Sequence, residues 1–139
     1  MKKFARIAAL VLVVVMSMAL LVACGPASDP DKAAAALKKN EYTGGKDSTV
    51  IPAALALIGV KGVDCAVSGS KIVEDKDGNK KGESVTIVYF VNADSANSAW
   101  EKVKGYAEDK KDKDESDWTI EKSGKMIYWG TKAGIKAAR

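Results

Sequence analysis

The pattern of apolar and polar positions divides the chain into two unlike parts. From Ile7 to Val22 every residue except Ser17 is apolar, and none is charged. Beyond residue 24 the apolar positions come in short groups, separated by charged and turn-forming residues. Asp29-Pro30 reads as N-cap and first helical residue of a helix through Ala33–Ala36 to Lys39, with Asn40 ending it. Tyr42 and Thr43 suggest a short strand before a Gly44-Gly45 turn. A second helix is expected over Pro52–Ile58, stopped at Gly59 and apolar nearly all round, hence buried on more than one side. Val63, Cys65 and Val67 share one strand face, and that strand leads on to Ile72-Val73.

Val85–Val91 is the strongest β signal, apolar on both faces, and reads as a central strand. The loop before it spans Glu74–Glu83. Asp94-Ser95 cap the longest helix, Ala96 to Lys110, whose Ala96, Ala99, Trp100, Val103 and Ala107 fall on one face. Asp109 to Asp117 alternates in sign and reads as a solvated connector. Trp118–Ile120 and Lys125–Trp129 flank Ser123-Gly124 and form a hairpin. Thr131 caps a final helix, Lys132–Ala138. The centre of this order is a βαββαβ succession, the ferredoxin-like split unit, with an extra strand and terminal helix. The expected class is α+β: an antiparallel sheet with helices mainly on one face.

Charge sharpens the division. The 139 residues hold 22 Lys+Arg and 18 Asp+Glu, a net charge of +4. Lys2, Lys3 and Arg6 supply three of those positive charges ahead of the apolar run, with no acid beside them. The rest of the chain nearly balances, so nucleic-acid binding loses its compositional support, and no nucleic-acid partner is expected. The chain has no His. That excludes His general bases, Ser-His triads and His metal sites.

A positive start, an apolar run of this length and a small-residue end follow the export pattern; a spanning helix needs about 20 apolar residues. Leu21-Val22-Ala23-Cys24-Gly25 resembles the bacterial lipobox. The resemblance implies cleavage after Ala23 by signal peptidase II and lipidation of Cys24, through a diacylglycerol thioether and further palmitate-class chains. It implies a signal peptide over 1–23; Gly25-Pro26-Ala27-Ser28 then reads as a short tether over 24–29, and the order of elements as a single α+β domain over 30–139. The resemblance places the protein on the extracytoplasmic side of the cell membrane. Lys39-Asn40-Glu41-Tyr42, Tyr89-Phe90 ahead of a helix, and Tyr128-Trp129-Gly130-Thr131-Lys132 resemble small lipoproteins of Gram-positive bacteria. That likeness implies a lineage and a fold, and no activity.

Once Cys24 is acylated, Cys65 has no intramolecular partner, and its alternation with Val63 and Val67 makes it a buried small hydrophobe. Asp75-Lys76-Asp77-Gly78-Asn79 starts like a calcium loop, but Lys80 stands where a turn glycine belongs and Thr86 where the bidentate Glu belongs. It reads as a hairpin loop, and no metal or cofactor is expected. Ser68-Gly69-Ser70-Lys71 fits S-x-x-K, yet it follows a strand and lacks the S-D-N and K-T-G partners.

The aromatics are the candidate binding residues. Tyr89 and Phe90 point to opposite faces of a strand, as do Tyr128 and Trp129. Either both sheet faces are covered, or one presents Tyr89, Phe90, Trp118, Tyr128 and Trp129 to a protein or small-molecule partner. The expected function is a lipid-anchored binding or interaction module without catalysis. The alternatives are a small envelope enzyme using carboxylates or Lys, and an accessory subunit that adds its sheet edge to a partner.

Overall fold

A computed structural model describes residues 25–111 and 117–139. Four helices and five strands follow in the order α1 (Pro30–Lys39), β1 (Thr43–Asp47), α2 (Val50–Leu57), β2 (Val63–Glu74), β3 (Lys80–Phe90), α3 (Ala93–Lys110), β4 (Trp118–Ser123), β5 (Met126–Thr131) and α4 (Lys132–Ala137). The fold is α+β, and its elements keep the βαββαβ succession of an extended ferredoxin-like arrangement. The strands form one sheet in the order β1-β2-β3-β5-β4, antiparallel at every pairing.

The helices divide differently from expectation. They do not gather mainly on one face: α1 and α4 cover one side, α2 and α3 the other. The first face buries Leu37, Tyr42, Cys65, Val67, Ile87 and Tyr128. The second buries Leu55, Val88, Phe90, Val103, Ile127 and Trp129. The physical reason is the alternation in β3 and β5, where both parities of side chain are apolar. A sheet with two apolar faces needs cover on both.

Local geometry departs from the sequence reading at several places. Gly44-Gly45 is no turn. Both residues lie inside β1, paired with Gly69 and Ser68. Gly44 adopts φ +130°, and a β-carbon there would collide with the Ser68 carbonyl. Val63 does not share a face with Cys65 and Val67, because the β2–β3 register shifts between Val63 and Cys65. That bulge sends Val63 to the second core while Cys65 and Val67 enter the first. The β2–β3 hairpin is also longer than its apolar signal. Its outer half pairs Lys71 with Glu83 and Glu74 with Lys80, leaving Ile72 exposed.

Helix α2 is apolar yet not deeply buried. Leu55 is its one fully buried residue, while Val50 is 74% and Leu57 89% exposed. It starts two residues earlier than expected because Asp47 caps it. The carboxylate accepts the N–H groups of Thr49 (2.7 Å), Val50 (2.9 Å) and Ile51 (2.8 Å). Helix α3 likewise starts earlier, with Asn92 rather than Asp94 as cap, accepting from the Ser95 N–H at 2.8 Å.

The junction of β5 and α4 is the tightest in the fold. Thr131 is fully buried. Its hydroxyl oxygen accepts the N–H of Gly134 (3.1 Å) and of Ser84 (3.2 Å), and its proton goes to the Ser84 carbonyl (3.3 Å). Gly130, at φ +142°, and Gly134 leave the room this approach needs, since a β-carbon at either would collide with that carbonyl.

Thr131→Val keeps the shape and strands the buried Gly134 N–H and the half-buried Ser84 N–H, so it is expected to cost about 1–3 kcal/mol in a denaturant titration. A loss below about 0.5 kcal/mol would show that the hydroxyl is dispensable. The backbone N–H bonds to Asp47 hold its carboxyl below the usual range. With the folded value below the unfolded one, this stabilisation is present above about pH 4 and lost as pH falls through the folded value. Asp47→Ala should therefore cost about 1 kcal/mol at pH 7. The gap to wild type should narrow below pH 4. A gap that stays constant on acidification would remove Asp47 from the capping role.

Candidate functional site

Pro26 is buried, and the residues around it are held on the first sheet face. The Ala27 N–H donates to the Ala138 carbonyl at 2.9 Å. The Tyr89 hydroxyl donates to the Ala27 carbonyl at 2.7 Å. Gly25 lies against Tyr128, whose phenolic oxygen would stand 3.0 Å from a β-carbon at Gly25. Asp29 then caps α1 by accepting from the Asp31 N–H at 2.9 Å. The described part of the expected 24–29 tether is thus packed on the domain. Ala23 and Cys24 lie outside the described residues.

Beside Gly25 a cleft of about 650 Å³ opens between α4 and the edge strand β4. Tyr128 and Ile135 form its apolar floor. Lys132 and Lys136, one turn apart on α4, and Arg139 beyond it line one side. Thr119, Glu121 and Ser123 line the other. The Tyr128 hydroxyl donates to Glu121 Oε2 at 2.8 Å, so the cleft's carboxylate already has a partner. The candidate aromatics of the sequence had pointed to Tyr128 alone of this group. The cations were missed because Lys132, Lys136 and Arg139 looked like ordinary solvated helix charges.

The sheet-face aromatic surface is corrected by burial. Tyr89, Phe90, Tyr128 and Trp129 are all at most 6% exposed and divide between the two cores. Trp118 is half-buried against the second core. The partly exposed rings are covered by ammonium groups. Lys111 Nζ sits 5.4 Å from the Trp118 centroid, Lys110 5.5 Å from Tyr106 and Lys122 5.8 Å from Trp100. Tyr106 in turn meets Trp129 edge-on at 6.2 Å.

No family model matches this chain, no curated protein matches it, and no solved structure matches it.

The remaining motifs resolve into structure. Ser68 and Lys71 stand three residues apart in β2, so their side chains point to opposite faces. Lys71 Nζ instead donates to the Asn40 carbonyl at 3.1 Å and lies over the Tyr42 ring. Asp75 turns back on its own loop, accepting the N–H groups of Asp77 (2.9 Å) and Asn79 (2.8 Å). Those bonds hold its carboxyl below the usual range. Among the described residues no cluster of Cys, Asp and Glu has the arrangement to hold a metal ion.

Buried titratable groups are held in their acid forms. Burial first, then the Glu83 carboxylate that accepts from it at 2.6 Å, pushes the Tyr42 phenol far up. Burial does the same for Tyr89. Cys65 is 2% exposed, and burial first, then Asp64, raises its thiol. A buried, protonated thiol is a poor nucleophile. Cys65 should resist iodoacetamide at pH 7.5 in the folded protein and react fully in denaturant, as read by intact mass. Rapid alkylation under native conditions would refute this inert role.

Proposed function

We propose that the chain is a lipid-anchored, extracytoplasmic binding or interaction module without catalytic chemistry. The observation that carries this reading is the junction between leader and domain. The lipobox-like Leu21–Gly25 follows a positive start and an uncharged apolar run, and its Gly25 packs against Tyr128 of the domain. An acyl chain contributes about 0.8 kcal/mol per buried methylene, and two or more chains make attachment durable. Among the described residues no helix is long and apolar enough to cross a membrane. In this reading the N-terminal lipid holds the protein at the cell membrane. The raised groups Tyr42, Tyr89 and Cys65 all belong to the first core, which favours a packing role over a chemical one.

Metabolic labelling with a palmitate analogue, followed by detergent-phase partition, tests this directly. Wild type is expected to carry label and enter the detergent phase. Cys24→Ser is expected to lose the label and to be found unprocessed or released. Mature-size Cys24→Ser protein that still sits in the membrane would overturn the reading.

A further inference from the structure

We propose that the cationic cleft between α4 and β4 takes the phosphate of anionic phospholipid headgroups and turns the first sheet face toward the membrane. This rests on the lipid-anchor reading above. The cleft is built at the anchor: Gly25, the residue after Cys24, is one of its lining residues and packs on Tyr128 at its floor. A lipid on Cys24 therefore enters the bilayer one residue from the cleft.

The charge is local. The chain beyond the leader is almost neutral, yet Lys132, Lys136 and Arg139 converge on this single cleft. Neither lysine enters the ion pairs found among the described residues, which join Lys46 to Asp31, Lys71 to Glu41 and Lys81 to Asp117. The one carboxylate side chain among the described residues lining the cleft, Glu121, keeps its charge while accepting the Tyr128 hydroxyl, and is outnumbered by Lys132, Lys136 and Arg139. Both lysines are exposed, and their ammonium groups are free to meet a phosphate without losing an internal partner. A volume of about 650 Å³ is ample for a headgroup.

Attachment makes this binding intramolecular. A site too weak to hold a free phosphate becomes occupied when the anchor keeps headgroups beside it. An anionic surface attracts each nearby Lys or Arg by roughly fivefold in occupancy. That effect acts within about 8 Å at physiological ionic strength, so the cleft has to sit where the chain meets the bilayer.

The test uses the processed, lipidated protein reconstituted into vesicles of phosphatidylglycerol or of phosphatidylcholine. Flotation reports the anchor, and hydrogen exchange over residues 132–139 reports the cleft. The expected result is flotation with both lipids, and exchange over 132–139 at least about fivefold slower in phosphatidylglycerol. Lys132→Glu/Lys136→Glu should float equally and lose that slowing, with exchange in 85–90 unchanged as the control for folding. Equal exchange in the two lipids, with full flotation, would overturn the headgroup site and leave the anchor standing. Failure to float would overturn the anchor and this proposal with it. Equal slowing by millimolar glycerol phosphate over phosphatidylcholine would show a site for free phosphate and overturn the membrane as its occupant.

Discussion

The hydroxyl of Thr131 joins three elements of this molecule at one point. It ties the end of β5 to Ser84 in β3 and starts α4 in the same stroke. The direction of α4 then sets the place of the Ala138 carbonyl, which holds Ala27. The segment around Ala27 and helix α4 thus both depend on one buried hydroxyl. The close approach is open only because Gly130 and Gly134 present no side chain to the Ser84 carbonyl. A buried polar group this well bonded is costly to disturb, because the Gly134 N–H left behind is itself buried.

The sheet's two apolar faces explain the layered arrangement. Val85, Ile87 and Tyr89 enter one core while Val88 and Phe90 enter the other, and β5 repeats the division with Tyr128 and Trp129. Small side chains on the inner face of α3, notably Ala96, Ala99 and Ala107, let that helix come close to the sheet. Where its rings reach the surface, lysines cover them. Apart from Tyr128, which also lines the cleft beside Gly25, these aromatics supply packing area.

Much of this was legible in the chain. Asp29-Pro30 and Thr131 cap helices as their residue types require, and the alternation across Tyr89-Phe90 and Tyr128-Trp129 already required cover on both faces or an exposed one. What could not be read was set by distant partners. The glycines of β1 looked like a turn because nothing local reveals the Ser68 carbonyl beside Gly44. Helix α2 looked buried because composition records apolarity, not position, and its outer residues Val50 and Leu57 face water. The cleft was hidden for the same reason. Lys132 and Lys136 gain their meaning only when the fold brings Gly25 and Tyr128 beside them.

The bulge between Val63 and Cys65 makes the chain unequally tolerant of changes in length. One inserted residue there sets the parity of everything upstream of Cys65 in β2. Losing Asp64 would leave Val63 opposite Phe90 and Cys65 opposite Tyr89, each still on its own core, whereas losing Ala66 would put Cys65 and Val67 on opposite faces. The Asp75–Asn79 turn carries no such constraint, since both strands have left the packed body before it is reached. Insertions at that tip would alter only a solvated loop, whereas a single deletion at Ala66 would exchange inside for outside.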